Sequence, residues 1–281
     1  MCGWRPGWGR HPPARAGAAS VVWVPELPEV ERARALIARL ALGRRIVAVD
    51  DSDTFVCRPH APGEIAGALI GTRLQAAHRQ GKTMWVSTDA GPVLGLHLGM
   101  AGRIVVDADE AGDPHRRAQP PARWDRFTLH FGDGGSMRLR DSRRLSRAVL
   151  DPDLSGLGPD AAEVPRAAFR ARVGRGAAPL KARIMDQGVI AGVGNLLADQ
   201  ALWQARLSPR RPSGELDEDE LDRLRRELRA ATRAAIRGGG VHTGLLVPAR
   251  GPGGHCPRCG AMLQRDRVGG RTTWWCPAEQ R

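Results

Sequence analysis

Apolar residues recur at helical spacing early in the chain: Leu27, Val30, Ala33, Ile37 and Leu40 fall on one face. Pro28 suits a first helical turn and Gly43 a C-terminal cap, so the pattern predicts a helix over 27–40. The period then changes from 3.6 to two. Alternating runs over 45–50, 83–87, 93–98, 102–106, 127–131 and 136–139 are separated by turn residues such as Gly132-Asp133-Gly134-Gly135. They predict a β-sandwich reaching to about Leu150. Residues 107–121 are polar and contain prolines, which suits a mobile loop. A Pro/Gly-rich connector over 151–160 follows.

Beyond the connector the period is helical again. Helices are expected over 180–189, 196–205 and 216–237, the last with acids first (Asp217, Glu218, Asp219, Glu220) and arginines last, as the helix dipole favours. Gly238-Gly239-Gly240 closes it, and a cysteine-bearing hairpin ends the chain. The fold class expected is α+β and multidomain. A β-sandwich with a leading helix (25–150) is followed by a linker (151–164), a helical domain (165–248) and a C-terminal hairpin (249–281). Residues 1–24, rich in Gly, Pro, Ala and Arg with no hydrophobic period, read as disordered or as a mis-annotated extension.

Charge narrows the function. The 281 residues carry 43 Lys+Arg against 30 Asp+Glu, a formal net charge of +13. A balance of that sign suggests a polyanionic partner, most simply nucleic acid. No run of 18 apolar residues is present, so no membrane partner is expected, and the first 24 residues lack the apolar core of a signal peptide. Five cysteines, with a late C-x2-C, suggest a cytosolic metal site rather than a disulfide framework. Among the basic residues only two are lysines, Lys82 and Lys181. A bias that favours arginine this strongly should spare lysine where a compact ammonium is needed rather than a planar fork.

Several short motifs carry chemistry. Pro25-Glu26-Leu27-Pro28-Glu29-Val30 opens the first helix. Inside a chain, proline has a tertiary amide nitrogen and no nucleophilic amine. Val24 stands where an initiator Met would stand, and a GTG codon read as a start would place Pro25 at the mature N-terminus. Gln80-Gly81-Lys82 opens a strand, His97-Leu98-Gly99-Met100 closes another, and Asp141-Ser142-Arg143-Arg144-Leu145 forms a basic turn. In Ala191-Gly192-Val193-Gly194-Asn195 the glycines permit close approach of another backbone, and the amides opening the next helix can grip a phosphate. Cys256, Cys259 and Cys276 have zinc-hairpin spacing, and Glu279 stands in the fourth position. A carboxylate oxygen can ligate zinc there.

Together these motifs resemble the formamidopyrimidine-DNA glycosylase / endonuclease VIII family over essentially residues 25–281. The resemblance implies a helix-two-turn-helix in the helical domain, one structural zinc, and a cytoplasmic, nucleoid-associated monomer acting on damaged double-stranded DNA. It implies a base-excision-repair glycosylase with AP-lyase activity, working through an N-terminal proline imine and β,δ-elimination. Pro25 would be the nucleophile, Glu26 the proton shuttle, Lys82 a phosphate contact that assists the chemistry, and Arg271 the phosphate clamp at the hairpin tip. Met100, Arg143 and Leu145 would enter the duplex as a wedge. Arg144, Lys181 and Asn195 would face the DNA backbone. Cys256, Cys259, Cys276 and Glu279 would hold the zinc. Leu145, where purine-type members carry Phe, favours the endonuclease VIII side. Gln200 replaces the family's acid and is expected to loosen the turn it supports. The alternative reading is a non-catalytic binder of damaged or bent DNA, with Pro25 blocked by residues 1–24.

Overall fold

The structure, a computed structural model, describes residues 24–107 and 122–281. The leading segment before Val24 and the loop expected beyond Asp107 lie outside the described residues.

Helix α1 (Leu27–Leu40) has the bounds its periodicity predicts. Eight strands follow in two antiparallel four-stranded sheets. One sheet has the order β1 (Ile46–Asp50), β6 (Asp125–Phe131), β7 (Ser136–Arg140), β5 (Arg103–Val106). The other has the order β2 (Leu74–Gln80), β3 (Thr83–Thr88), β4 (Val93–His97), β8 (Arg147–Leu150). The alternation in β3 is complete: Met84, Val86 and Thr88 point inward and their neighbours outward. Met84 faces Leu96 and Val86 faces Leu94 across the ladder, while Leu129 faces Met137 in the opposite sheet. These side chains form one buried core with Val30 and Ile37 of α1, and with Ile65 and Leu69 of a short helix α2 (Glu64–Leu69).

The strands β2 and β8 and the helix α2 depart from the sequence expectation. Only Leu74 of β2 is fully buried, so the strand carries little apolar alternation, and pairing with β3 supplies its order instead. Strand β8 is four residues long, too short for a period to register.

The second half holds α3 (Arg166–Val173), α4 (Leu180–Met185), α5 (Asn195–Ala205) and α6 (Glu218–Gly238). Helix α3 was hidden among arginines: only Phe169 and Val173, four residues apart, are buried. Helix α4 is shorter than the expected 180–189, because Asp186 leaves helical geometry and its carboxylate takes the Gly188 amide at 2.9 Å. Helix α6 is capped by Asp217, whose carboxylate accepts the Glu220 amide at 2.8 Å. A two-stranded hairpin, β9 (Gln264–Val268) and β10 (Arg271–Trp275), hangs on α5 through Trp203, Leu246 and Leu263. No helix among the described residues is long and apolar enough to cross a membrane.

The two halves are locked together. Leu27 belongs to the helical core while Val30, three residues on, belongs to the sandwich core, so α1 straddles both. The expected connector is packed rather than free. Ala161 and Val164 are buried in the helical core, and the Asp160 carboxylate pairs with Arg79 of β2 and accepts the Gly81 amide at 2.7 Å.

Gly99 is held at φ +58°, and a Cβ there would lie 2.4 Å from the Leu145 backbone. Gly99→Ala should therefore cost at least ~2 kcal/mol, read as a fall of roughly 4 °C or more in Tm by scanning calorimetry. A melt within about 1 °C of the parent would show that the contact relaxes freely.

Candidate active site and DNA-binding surface

Glu26 is the centre of the site. It is 2% exposed, and its carboxylate crosses to the other half of the molecule to cap α5. Oε2 accepts the amides of Gly194 (3.1 Å) and Leu197 (3.0 Å), and Oε1 accepts that of Leu196 (2.8 Å). Gly194 must be glycine because a Cβ there would sit 2.2 Å from the Glu26 carboxyl carbon. The amides expected to grip a phosphate are thus already engaged by Glu26. Burial raises the Glu26 pKa to about 7; Lys82 and the amides of Leu196 and Leu197 oppose that rise without cancelling it.

Pro25 is buried beside Glu26, and Leu27 donates to the Gly192 carbonyl at 3.2 Å. Glu29 accepts the Glu26 amide (3.0 Å) and the Val241 amide (2.8 Å), so it ties the same turn to the end of α6. Lys82 follows Gly81, whose φ is +61° and whose Cβ would strike Ala191 at 2.7 Å. Burial lowers the Lys82 pKa, with Glu26 opposing and Arg271 reinforcing the shift. Glu26, Lys82 and Arg271 are therefore electrostatic neighbours, although they come from α1, β3's leading turn and the hairpin. His97 is also pulled down by burial and by Lys82.

The residues expected to form a wedge lie on two adjoining turns. Met100 (37% exposed) and Leu145 (38%) are among the few exposed large apolar side chains, and the Gly99–Leu145 backbone contact sets them side by side. The Asp141 carboxylate builds the second turn by accepting the amides of Arg143 (2.8 Å), Leu145 (2.7 Å) and Ser146 (2.8 Å). Arg143 is exposed. Arg144 adopts φ +57° and clasps Asp53 through Nε (2.9 Å) and Nη2 (2.7 Å). At the start of α5, Asn195 Oδ1 is buried with no hydrogen-bond partner among the described residues.

Two expectations need correction here. Lys181 does not face DNA: it is 0% exposed and ion-paired with Asp199 at 2.6 Å, because the helix face that carries it packs on the hairpin. Gln200 ties α5 to a later segment instead: its Oε1 accepts the Leu246 amide at 2.9 Å.

At the hairpin base the ligand atoms of Cys256, Cys259 and Cys276 all lie within 4.8 Å of one another, and Cys259 Sγ is 3.5 Å from Cys276 Sγ. That clustering suits tetrahedral thiolate ligation of one zinc. Trp203 Nε1 donates to Cys256 Sγ at 3.3 Å, a bond that favours thiolate. Glu279 is not in the cluster. Its carboxylate is held instead by Arg258 (3.0 Å) and Arg206 (3.4 Å). The next residue completes a polar staple: Gln280 accepts the Cys276 amide (2.9 Å) and donates to the Leu207 carbonyl (2.9 Å). The tail thus pins the hairpin where a fourth ligand would have done so.

Asp160, Asp199 and Arg250 all shape the site, and no motif marked them. Their partners lie far away in sequence, as with Asp160 and Arg79 or Arg250 and Asp199, so spacing carries no signal.

A sandwich joined through one buried carboxylate to a helix-two-turn-helix module, with a zinc-type hairpin packed on α5, defines a DNA glycosylase fold. Three family patterns tile the chain: the formamidopyrimidine-DNA glycosylase N-terminal domain over 24–148, the H2TH domain of that glycosylase over 156–245, and the zinc finger found in FPG and IleRS over 253–278. The formamidopyrimidine-DNA glycosylase of Acidothermus cellulolyticus is 34% identical, over 92% of this chain and 97% of that one. The glycosylase of that name from Roseiflexus sp. is 35% identical, over 92% and 100%. Among solved structures, the MutM (Fpg) protein from Thermus thermophilus superposes with a TM-score of 0.74 at 31% identity, covering 91% and 98%. A complex of the LlFpg protein with THF-DNA and an inhibitor gives 0.78 at 25% identity, covering 92% and 100%. The chain belongs to the formamidopyrimidine-DNA glycosylase family.

For the metal, Cys276→Ser should abolish zinc binding, whereas Glu279→Ala should retain about one zinc per chain and lower only Tm. Elemental analysis decides between them, and loss of zinc from Glu279→Ala would return that carboxylate to the ligand set.

Proposed function

We propose that this protein is a base-excision-repair DNA glycosylase with AP-lyase activity, which removes oxidised bases from duplex DNA when Pro25 carries a free amine. The observation that carries the reading is the Glu26 carboxyl group, buried beside Pro25 with its pKa raised to about 7 and with Lys82 as a charged neighbour, Lys82 in turn feeling the charge of Arg271. A secondary amine of ordinary basicity is partly neutral at about pH 7 to 8 and can attack C1′ of a damaged nucleotide. Glu26, half protonated in the same range, supplies a proton as the base departs and can accept one during elimination. The C1′–O4′ bond then opens with a proton to O4′, which gives the iminium on Pro25. A base takes the C2′ proton, the C2′–H electron pair flows into the iminium and expels the 3′ phosphate, and loss of the C4′ proton in the same way expels the 5′ phosphate. Lys82 and Arg271 offset phosphate charge. Met100, Arg143 and Leu145 fill the gap left by the everted nucleotide, a need that any base-flipping enzyme must meet. Asn195 opens α5, where its side-chain amide can donate to a backbone phosphate.

The relatives' names support the formamidopyrimidine side of the family over the endonuclease VIII side that Leu145 suggested. The first family pattern begins at residue 24, which supports a working chain that starts at Pro25. Two relatives are covered over their full length by alignments spanning 92% of this chain.

Borohydride trapping on an abasic-site duplex tests the proposal. Protein beginning at Pro25 should form a covalent adduct, and protein beginning at Met1 should not. Lys82→Ala should slow single-turnover cleavage by roughly 100-fold or more. No adduct with either form would leave a non-catalytic binder of damaged DNA.

A further inference from the structure

A sequence that has replaced nearly every lysine with arginine keeps one lysine in the reaction centre and the other, Lys181, where solvent does not reach. Three oxygens surround its ammonium: Asp199 Oδ1 at 2.6 Å, Thr273 Oγ1 at 2.8 Å and the Thr272 carbonyl at 3.2 Å. Thr273 Oγ1 and the Thr272 carbonyl accept hydrogen bonds from it and Asp199 supplies the counter-charge, a setting that suits a compact ammonium; a planar guanidinium is larger and its donors lie in one plane. The Thr273 hydroxyl passes the connection on by donating to the Arg271 carbonyl at 3.0 Å. The second Asp199 oxygen accepts the Trp274 amide at 3.2 Å and Arg250 Nε at 2.9 Å, and Arg250 also reaches the Thr272 carbonyl at 3.4 Å. Four consecutive residues of the hairpin, Arg271 to Trp274, are thus fixed to one buried acid–base pair. Beside it the hairpin turn abuts α4 directly: a Cβ on Gly269 would lie 2.8 Å from Ala182 Cβ.

We propose that Lys181 and Asp199 are positioning residues for Arg271, a buried strut between α4, α5 and the hairpin that sets where the Arg271 guanidinium meets DNA phosphate. The proposal rests on the reading of Arg271 given under the proposed function. A two-stranded hairpin is marginal by itself and needs external support to hold its tip. The cysteine cluster sits at the base, and the strut sits within three residues of the tip, so the metal and the ion pair hold opposite ends. The strut also joins the tip to α5, the helix whose N-terminus receives Glu26, so clamp and carboxyl keep a common frame. A displacement of about 1 Å at such a group is enough to cost much of its function.

The test is a double-mutant cycle on the full chain beginning at Pro25, read as Kd for an abasic-analogue duplex across a salt series. Arg271→Ala should weaken binding by roughly tenfold or more and lower the salt slope by about 1. Lys181→Met and Thr273→Val should each reproduce part of that loss with the same fall in slope. Lys181→Met should have no further effect in the Arg271→Ala background. Lys181→Arg should not restore binding. Thr273→Val keeps the ion pair and removes only the hydroxyl bridge, so it carries the test if Lys181→Met does not fold. Equal losses from Lys181→Met in both backgrounds, or an unchanged slope for both Lys181→Met and Thr273→Val, would overturn the strut. An Arg271→Ala protein with parental affinity and slope would instead sink the reading of Arg271, and the strut with it.

Discussion

The carboxylate of Glu26 holding the amides of Gly194, Leu196 and Leu197 is the contact on which the rest of the molecule depends. A helix N-terminus presents unsatisfied N–H groups and a partial positive charge, and it normally takes a side chain of its own or water. Here it takes an acid from the sandwich domain. The bond therefore does two things at once. It fixes the approach of the two halves to within hydrogen-bond tolerance, and it buries an ionisable group next to Pro25. Such burial costs free energy if the group is charged, which is why the Glu26 pKa rises to about 7. Stability and reactivity come from one interaction. Since the folded-state pKa lies above the ordinary carboxylate value, the protonated form is favoured by folding, and the site loses stability as pH rises from about 4.5 towards 7.

Around that bond the surrounding contacts act as supports at increasing distance. Glu29 fastens the same turn to Val241, and Asp160 fastens the Lys82 turn through Gly81 and Arg79. Further out, Lys181 and Asp199 fasten the hairpin. Each support is an ionic or amide contact between elements remote in sequence, and each places a side chain that a short motif contains. The glycines at 81, 99 and 194 serve the same end by letting backbones or carboxylates come closer than a Cβ would permit.

This division explains what could be read from the chain. The first helix, most inner strands and the long last helix were legible because burial imposes a period on them. Strand β2 was not, since its outward face is polar and its order comes from pairing with β3. The residues proposed to touch DNA or to carry the chemistry stand in short motifs. The roles of Lys181, Gln200 and Glu279 were not, because their partners Asp199, Leu246 and Arg258 are set by packing rather than by spacing. A basic residue beside a DNA-binding turn looks the same in sequence whether it points outward or inward.

The measurement closest to the central claim is the ionisation of Glu26 itself, followed by carboxyl-selective carbon NMR on protein beginning at Pro25, with Glu26→Gln identifying the resonance. A midpoint at about pH 7 is expected. A midpoint in the ordinary carboxylate range, near 4.5, would mean that burial does not outweigh the amides and Lys82 that favour the ionised form, and the account of Glu26 as a proton donor near neutral pH would fail.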